Sequence, residues 1–293
     1  MAKAQGPDFP MFMWEFLGQE QLRTEQFKYV KGYDAEVDSN VIWALKKYGN
    51  FTQPIKPIEK SKSKEADYFK ANKNVSVLKI DYFKTTGERG DFYCTRYVVD
   101  NIIKKPMAGE SVYGILEMNF DDFAKEKEKD VIIGTDKSMH LLANRALSFT
   151  MMYCALVKNY ATAEGNGRKA IRALEDKKAE LKAKYTANTV LIPTELLDNG
   201  ISKEAFAGLK YKYEFASSDQ IAERIKSGNG KGYSQLMLIK GNTWEDYLFM
   251  IDLETGDLTR YAWAGGGTFS QTYKYADDKR VKKLIENLES SKY

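Results

Sequence analysis

The spacing of apolar and polar positions changes several times along this chain, and each change marks an element. Near the carboxyl terminus Val281, Leu284, Ile285 and Leu288 recur at i, i+3, i+4 and i+7, one apolar stripe on a helix. Before it, Tyr233–Lys240, Tyr247–Leu253 and Leu258–Trp263 are rich in β-branched and aromatic residues. Gly241-Asn242 and Glu254-Thr255-Gly256-Asp257 separate them, so they predict three strands. Thr189–Ile192, closed by Pro193, and Tyr211–Phe215 predict two more, with a short helix over Ser202–Leu209 between them. Ser217 and Gln220 stand at capping-box spacing for a helix over Ser218–Lys226, which Gly228-Asn229-Gly230 ends. Residues 187–293 therefore read βαβαβββα.

The earlier part of the chain patterns differently. Ser39 is placed to cap a helix through Tyr48, with Val41, Ile42 and Leu45 at helical spacing. Pro54 and Pro57 open a polar connection over 52–73. Val75–Phe83, Phe92–Val99 and Ser111–Phe120 predict an antiparallel meander whose first turn is Thr86–Gly90. Residues 121–130 alternate acids and lysines as a solvated stretch, and Val131-Ile132-Ile133 reads as a short buried strand. Helices over Asp136–Tyr160 and Arg168–Lys184 flank Gly165-Asn166-Gly167, a helical hairpin over 136–184. The fold class is thus mixed α+β and α/β, with an amino-terminal region 1–186 and a carboxy-terminal α/β domain 187–293. The second has a sheet and helices of its own and is expected to fold alone.

Composition narrows the function classes. At 43% hydrophobic and 29% charged the chain is globular material, not a disordered tail. A net charge of +4 over 45 basic and 41 acidic residues lacks the concentrated basic face of a nucleic-acid binder. Phe27-Lys28-Tyr29, Tyr211-Lys212-Tyr213 and Tyr273-Lys274-Tyr275 interleave rings and lysines, which suits base stacking but also suits strands with aromatic and lysine on opposite faces. Cys94 and Cys154 form no CxxC, and each lies among apolar residues, so buried free thiols are expected. The apolar stretch Ala146–Val157 falls short of the ~20 residues of a membrane span and reads as a core helix.

No catalytic motif is complete. Gly165-Asn166-Gly167-Arg168-Lys169 and Ser227-Gly228-Asn229-Gly230-Lys231-Gly232 lack the Walker spacing and read as helix stops. Gly265-Gly266-Gly267 suits a ligand edge or a long hairpin connection equally. Gly232-Tyr233-Ser234-Gln235-Leu236 lacks the second glycine of a nucleophile elbow and enters a strand. The single histidine, His140, excludes two-histidine metal motifs and reads as a partly buried structural residue. Asp121-Asp122 and Asp277-Asp278 are adjacent in sequence, so their side chains diverge, and the second pair stands at a helix N-cap. No motif calls for a metal or a cofactor.

Two resemblances bear on compartment and role. Ala2-Lys3-Ala4 before Gln5 looks like the end of a signal peptide, and the chain is similar to exported proteins of Bacteroidota-type bacteria. A periplasmic or secreted protein matured near Gln5 is expected, with an ordinary cytoplasmic start as the alternative. The stretches Tyr213–Ser217, Ile221 to Ile225, Tyr233–Leu238 and Leu248–Leu258 resemble the α/β domain of curli-secretion-channel lipoproteins and the amino-terminal domain of TolB. This resemblance covers about a quarter of the chain, and the usual first strand and helix are shorter here. It implies a non-catalytic envelope domain used in assembly, through a protein partner or self-association. Phe12 and Trp14, within the apolar run Phe9–Leu17, are the expected partner-binding residues, and packing in the chain's own core is the alternative. The competing function is an enzyme with a dispersed carboxylate and aromatic site acting on glycans, for which a 13% aromatic content suits sugar stacking.

Overall fold

The computed structural model describes residues 26–31, 34–49, 58–59, 75–87, 90–102, 116–119, 124–125, 136–160, 167–198, 200–241, 246–264 and 277–290. Their strands form one 11-stranded sheet. In its first half β1 (Gln26–Lys31), β2 (Ile58–Glu59), β3 (Val75–Gly87), β4 (Gly90–Ile102), β5 (Leu116–Asn119) and β6 (Ala124–Lys125) lie together. The antiparallel meander is β3-β4-β5, and the β3–β4 register runs from Val75↔Ile102 to Gly87↔Gly90. β1 runs parallel to β3 and β2 parallel to β1, while β6 pairs with β4 inside the stretch read as solvated.

The second half is a mixed sheet ordered β8-β7-β9-β10-β11. It contains β7 (Thr189–Pro193), β8 (Tyr213–Ala216), β9 (Tyr233–Gly241), β10 (Asp246–Asp252) and β11 (Leu258–Ala264). β7 is parallel to both β8 and β9, and β9-β10-β11 is antiparallel. The halves join where Met118 and Asn119 of β5 pair with Gly241 and Lys240 of β9. Among the described residues six helices accompany the sheet: α1 (Ala35–Tyr48), α2 (Asp136–Tyr160), α3 (Gly167–Ala187), α4 (Glu195–Asp198), α5 (Ser218–Ser227) and α6 (Asp278–Ser290). A 3-10 turn, Lys203–Phe206, stands where a short helix was expected over 202–209.

Alternation on the strands separates two apolar layers. Leu191, Met237, Ile239, Tyr247, Phe249 and Ile251 face one cluster, with α1, α2 and α5. Val190, Ile192, Leu236, Leu238, Leu248 and Met250 face the other, with α4, the 3-10 turn and α6. Every residue of β10 is buried, as a strand covered on both faces requires. α2 and α3 follow one another as the helical pair expected, but their ends serve different layers. Met151 and Met152 of α2 lie in the first cluster, and Tyr185 of α3 packs on the second.

Local sequence explains most boundaries. The α5 capping box has both of its bonds: Ser217 Oγ accepts from the Gln220 N–H and Gln220 Oε1 accepts from the Ser217 N–H. Gly228 ends that helix at φ 77°, the left-handed C-cap that glycine adopts without a Cβ penalty. α1 begins earlier than read from sequence. Asp34, not Ser39, is its cap, accepting from Glu36 and Val37 N–H at 2.9 and 3.1 Å. The extra turn buries Val37 in line with Val41, Ala44 and Leu45.

Position 186/187 falls in the last turn of α3. The apolar core crosses it: Val37, Val41 and Leu45 of α1 and Leu147 and Phe149 of α2 share one cluster with Phe249 and Ile251 of β10.

Candidate functional site

Topology points to one end of the sheet. From β7 the chain enters α4 and the 3-10 turn, whose Leu196 and Phe206 belong to the second layer. From β8 it enters α5, whose Ile221 and Ile225 belong to the first. Neighbouring parallel strands thus release the chain toward opposite faces, and open α/β sheets place ligands at such a switch point.

Glu195 occupies it. Its Oε1 accepts the Ser218 backbone N–H at 2.8 Å, in the first turn of α5. Its buried Oε2 has no hydrogen-bond partner. A helix N-terminus of this kind attracts phosphate or carboxylate. Here the chain's own carboxylate takes that place.

One residue further, Asp219 extends the polar cluster. Its Oδ1 accepts from Asn144 Nδ2 at 2.7 Å and lies 2.5 Å from His140 Nε2. His140 Nδ1 lies 2.5 Å from Glu36 Oε1 on α1. His140 is therefore exposed and ion-paired, where the sequence suggested partial burial. Desolvation by the neighbouring helices disfavours its charged form, but the hydrogen bonds and charges of Glu36 and Asp219 prevail and raise its pKa above the ordinary 6.5. While both nitrogens donate, the ring has no lone pair with which to take a proton from a substrate. Next along α2, an Arg145 guanidinium nitrogen donates to the Leu238 carbonyl of β9 at 2.9 Å.

A second cluster closes the β10–β11 turn at the other end of the sheet. Asp252 Oδ1 accepts from the Thr255 N–H and hydroxyl, both at 2.8 Å, and its Oδ2 accepts from Asn188 Nδ2 at 2.9 Å. Lys184 Nζ donates to Asp257 Oδ2 at 2.5 Å. Burial opposes the Lys184 charge, but Asp257, Asp252 and Glu180 together raise its pKa. Burial, then the charge of Asp252, raises the Tyr48 pKa. Asp252 and Asp257 share the Thr255 hydroxyl, and both are held by turn and helix partners.

The remaining sequence candidates separate clearly. Phe12, Trp14, Asp121-Asp122, Gly165-Asn166, Gly265–Gly267 and Tyr273–Tyr275 lie outside the described residues. Ser234 is a buried strand residue whose hydroxyl accepts from Asn188, so Gly232–Leu236 forms no elbow. Asp277 caps α6 through the Arg280 N–H at 2.8 Å, while Asp278 accepts from the Ser202 N–H and hydroxyl, which lower its pKa. Tyr211 and Tyr213 pack on the second layer and Lys212 is exposed, the alternation expected of a strand. Cys154 is a free, buried thiol, and burial raises its pKa. An open groove of about 640 Å³ lies between the 3-10 turn and α6, with Ala205, Gly208 and Ile285 in its wall and Glu204, Lys210 and Lys282 at its rim. Sequence reasoning missed Glu36, Glu195 and Asp219, each a first-turn helix acid with nothing local to distinguish it.

None of the described helices is long and apolar enough to cross a membrane. No protein-family model matches the chain, and neither a curated protein nor a solved structure matches it.

Proposed function

We propose that this chain is a non-catalytic binding or assembly protein of the cell envelope, periplasmic or secreted, acting through a protein partner or self-association. One observation carries the reading. At the switch point, where an α/β enzyme holds its ligand, Glu195 caps α5 and the Asp219–His140–Glu36 bridge ties helices together. Glu195 Oε1, Asp219, His140 and Glu36 each hold a neighbouring element there. The signal-like Ala2–Gln5 and the resemblance of residues 213–258 to curli-channel and TolB domains support the compartment and the assembly role.

Phe12 and Trp14 are the proposed anchors, since aromatic residues dominate interface energetics. Tagged full-length protein should capture a partner, or a second copy of itself, from the native envelope. Changing both residues to alanine should abolish that capture and leave the melting temperature nearly unchanged. A buried tryptophan anchor is worth about 2 kcal/mol or more, roughly a 30-fold loss of affinity. A melting temperature lowered by several degrees would place the run in the protein's own core and remove the proposed anchors.

A further inference from the structure

The chain has one histidine, and three helices meet on it. His140 on α2 holds Glu36 of α1 through Nδ1 and Asp219 of α5 through Nε2, each at 2.5 Å. Ionised carboxylates only accept hydrogen bonds, so both bonds coexist only while the ring carries both protons. Loss of one proton turns a ring lone pair toward a carboxylate.

We propose that the Glu36–His140–Asp219 bridge is a proton-operated latch: protonated, it fastens α1 to α2 and α5; deprotonated, it lets α1 loosen from the sheet. α1 is fastened near both ends, since Lys47 Nζ donates to the Ile225 carbonyl of α5 at 3.2 Å. Of these two ties, the one through histidine responds to pH near neutrality. Asn144 steadies Asp219 in either protonation state of the ring. The charged groups acting on the imidazole are Glu36 from α1 and Asp219 from α5, both acidic. The buried face of α1 carries Val37, Val41, Ala44 and Leu45, at most 1% exposed, so its loosening opens the first apolar layer.

The sign follows from linkage. Folding raises the pKa of this ring above 6.5. The stabilisation is complete below the unfolded value, ~6.5, and is lost as pH rises through the folded value. The latch is closed on the acid side and open on the alkaline side.

Because the histidine is unique, its ring proton resonance reports the latch directly in the full chain. That resonance should titrate above 6.5. Across the same pH range the opening constant of the Val41–Leu45 amides, from hydrogen exchange corrected for intrinsic rates, should rise about fivefold, the scale of a solvated ion pair. The amides of α6 should not follow. In His140→Gln the α1 opening constant should be independent of pH. Should that variant fail to fold, Glu36→Gln removes one acceptor charge and should lower the ring pKa. A ring that titrates at or below 6.5, α1 and α6 opening in parallel, a pH response that survives in His140→Gln, or an unmoved pKa in Glu36→Gln would each overturn the latch.

Discussion

A fragment of residues 187–293 is expected to be molten, not independently folded. Its elements follow the βαβαβββα order read from sequence, and its second apolar layer, closed by α4, the 3-10 turn and α6, lacks only Tyr185 of α3. Its first layer is not. Leu191, Met237, Ile239, Tyr247, Phe249 and Ile251 are covered by a cluster that includes α1 and α2. Full burial of such side chains is worth about 1.5–3 kcal/mol each. Uncovering six of them costs about as much as the whole stability margin of a domain, ~5–15 kcal/mol. The full chain should unfold in one sharp denaturant transition, and the fragment should keep far-ultraviolet dichroism while losing near-ultraviolet dichroism and binding a hydrophobic dye. A cooperative transition in the isolated fragment would mean that α1 and α2 are dispensable to its core.

Phe249→Ala should be the most damaging single truncation in that layer. Phe249 is fully buried at the middle of β10, opposite Met237 on one neighbour and Tyr261 on the other. Its ring lies 5.8 Å from that of Tyr247. Alanine removes the ring and leaves a cavity bounded by strands that cannot collapse, a loss of about 3–5 kcal/mol. At about 2–4 °C per kcal/mol for a chain of this scale, the melting temperature should fall by roughly 10 °C. Trp263→Ala is the control: Trp263 lies on β11 and is 42% exposed, and its truncation should cost far less. Equal losses in the two variants would contradict the layered core.

Local signals explain what was legible. The capping box at Ser217–Gln220, the glycine stop at Gly228 and the stripe Val281–Leu288 each act within one or two turns, so the sequence shows them whole. The run Tyr247–Leu253 marked β10 as a strand, but its burial on both faces emerged only from the fold. What escaped depends on distant pairing. β1 and β2 are parallel partners brought in from separate segments, and no turn signal announces a parallel register. The His140 bridge spans 104 residues to Glu36 and 79 to Asp219. Asp34 displaced Ser39 as the α1 cap because burial of Val37 one turn earlier rewards a longer helix.

If the polar groups at the ends of β7 and β8 are joints and the partner is met elsewhere, Glu195→Ala in the full-length protein should lose stability and keep its partner. The loss should be about 1 kcal/mol, as for a lost helix cap, and the melting temperature lower by about 2–4 °C. Partner capture from the envelope should be unchanged at temperatures well below the transition. An unchanged melting temperature together with lost capture would show that the switch point is a binding site and not a joint.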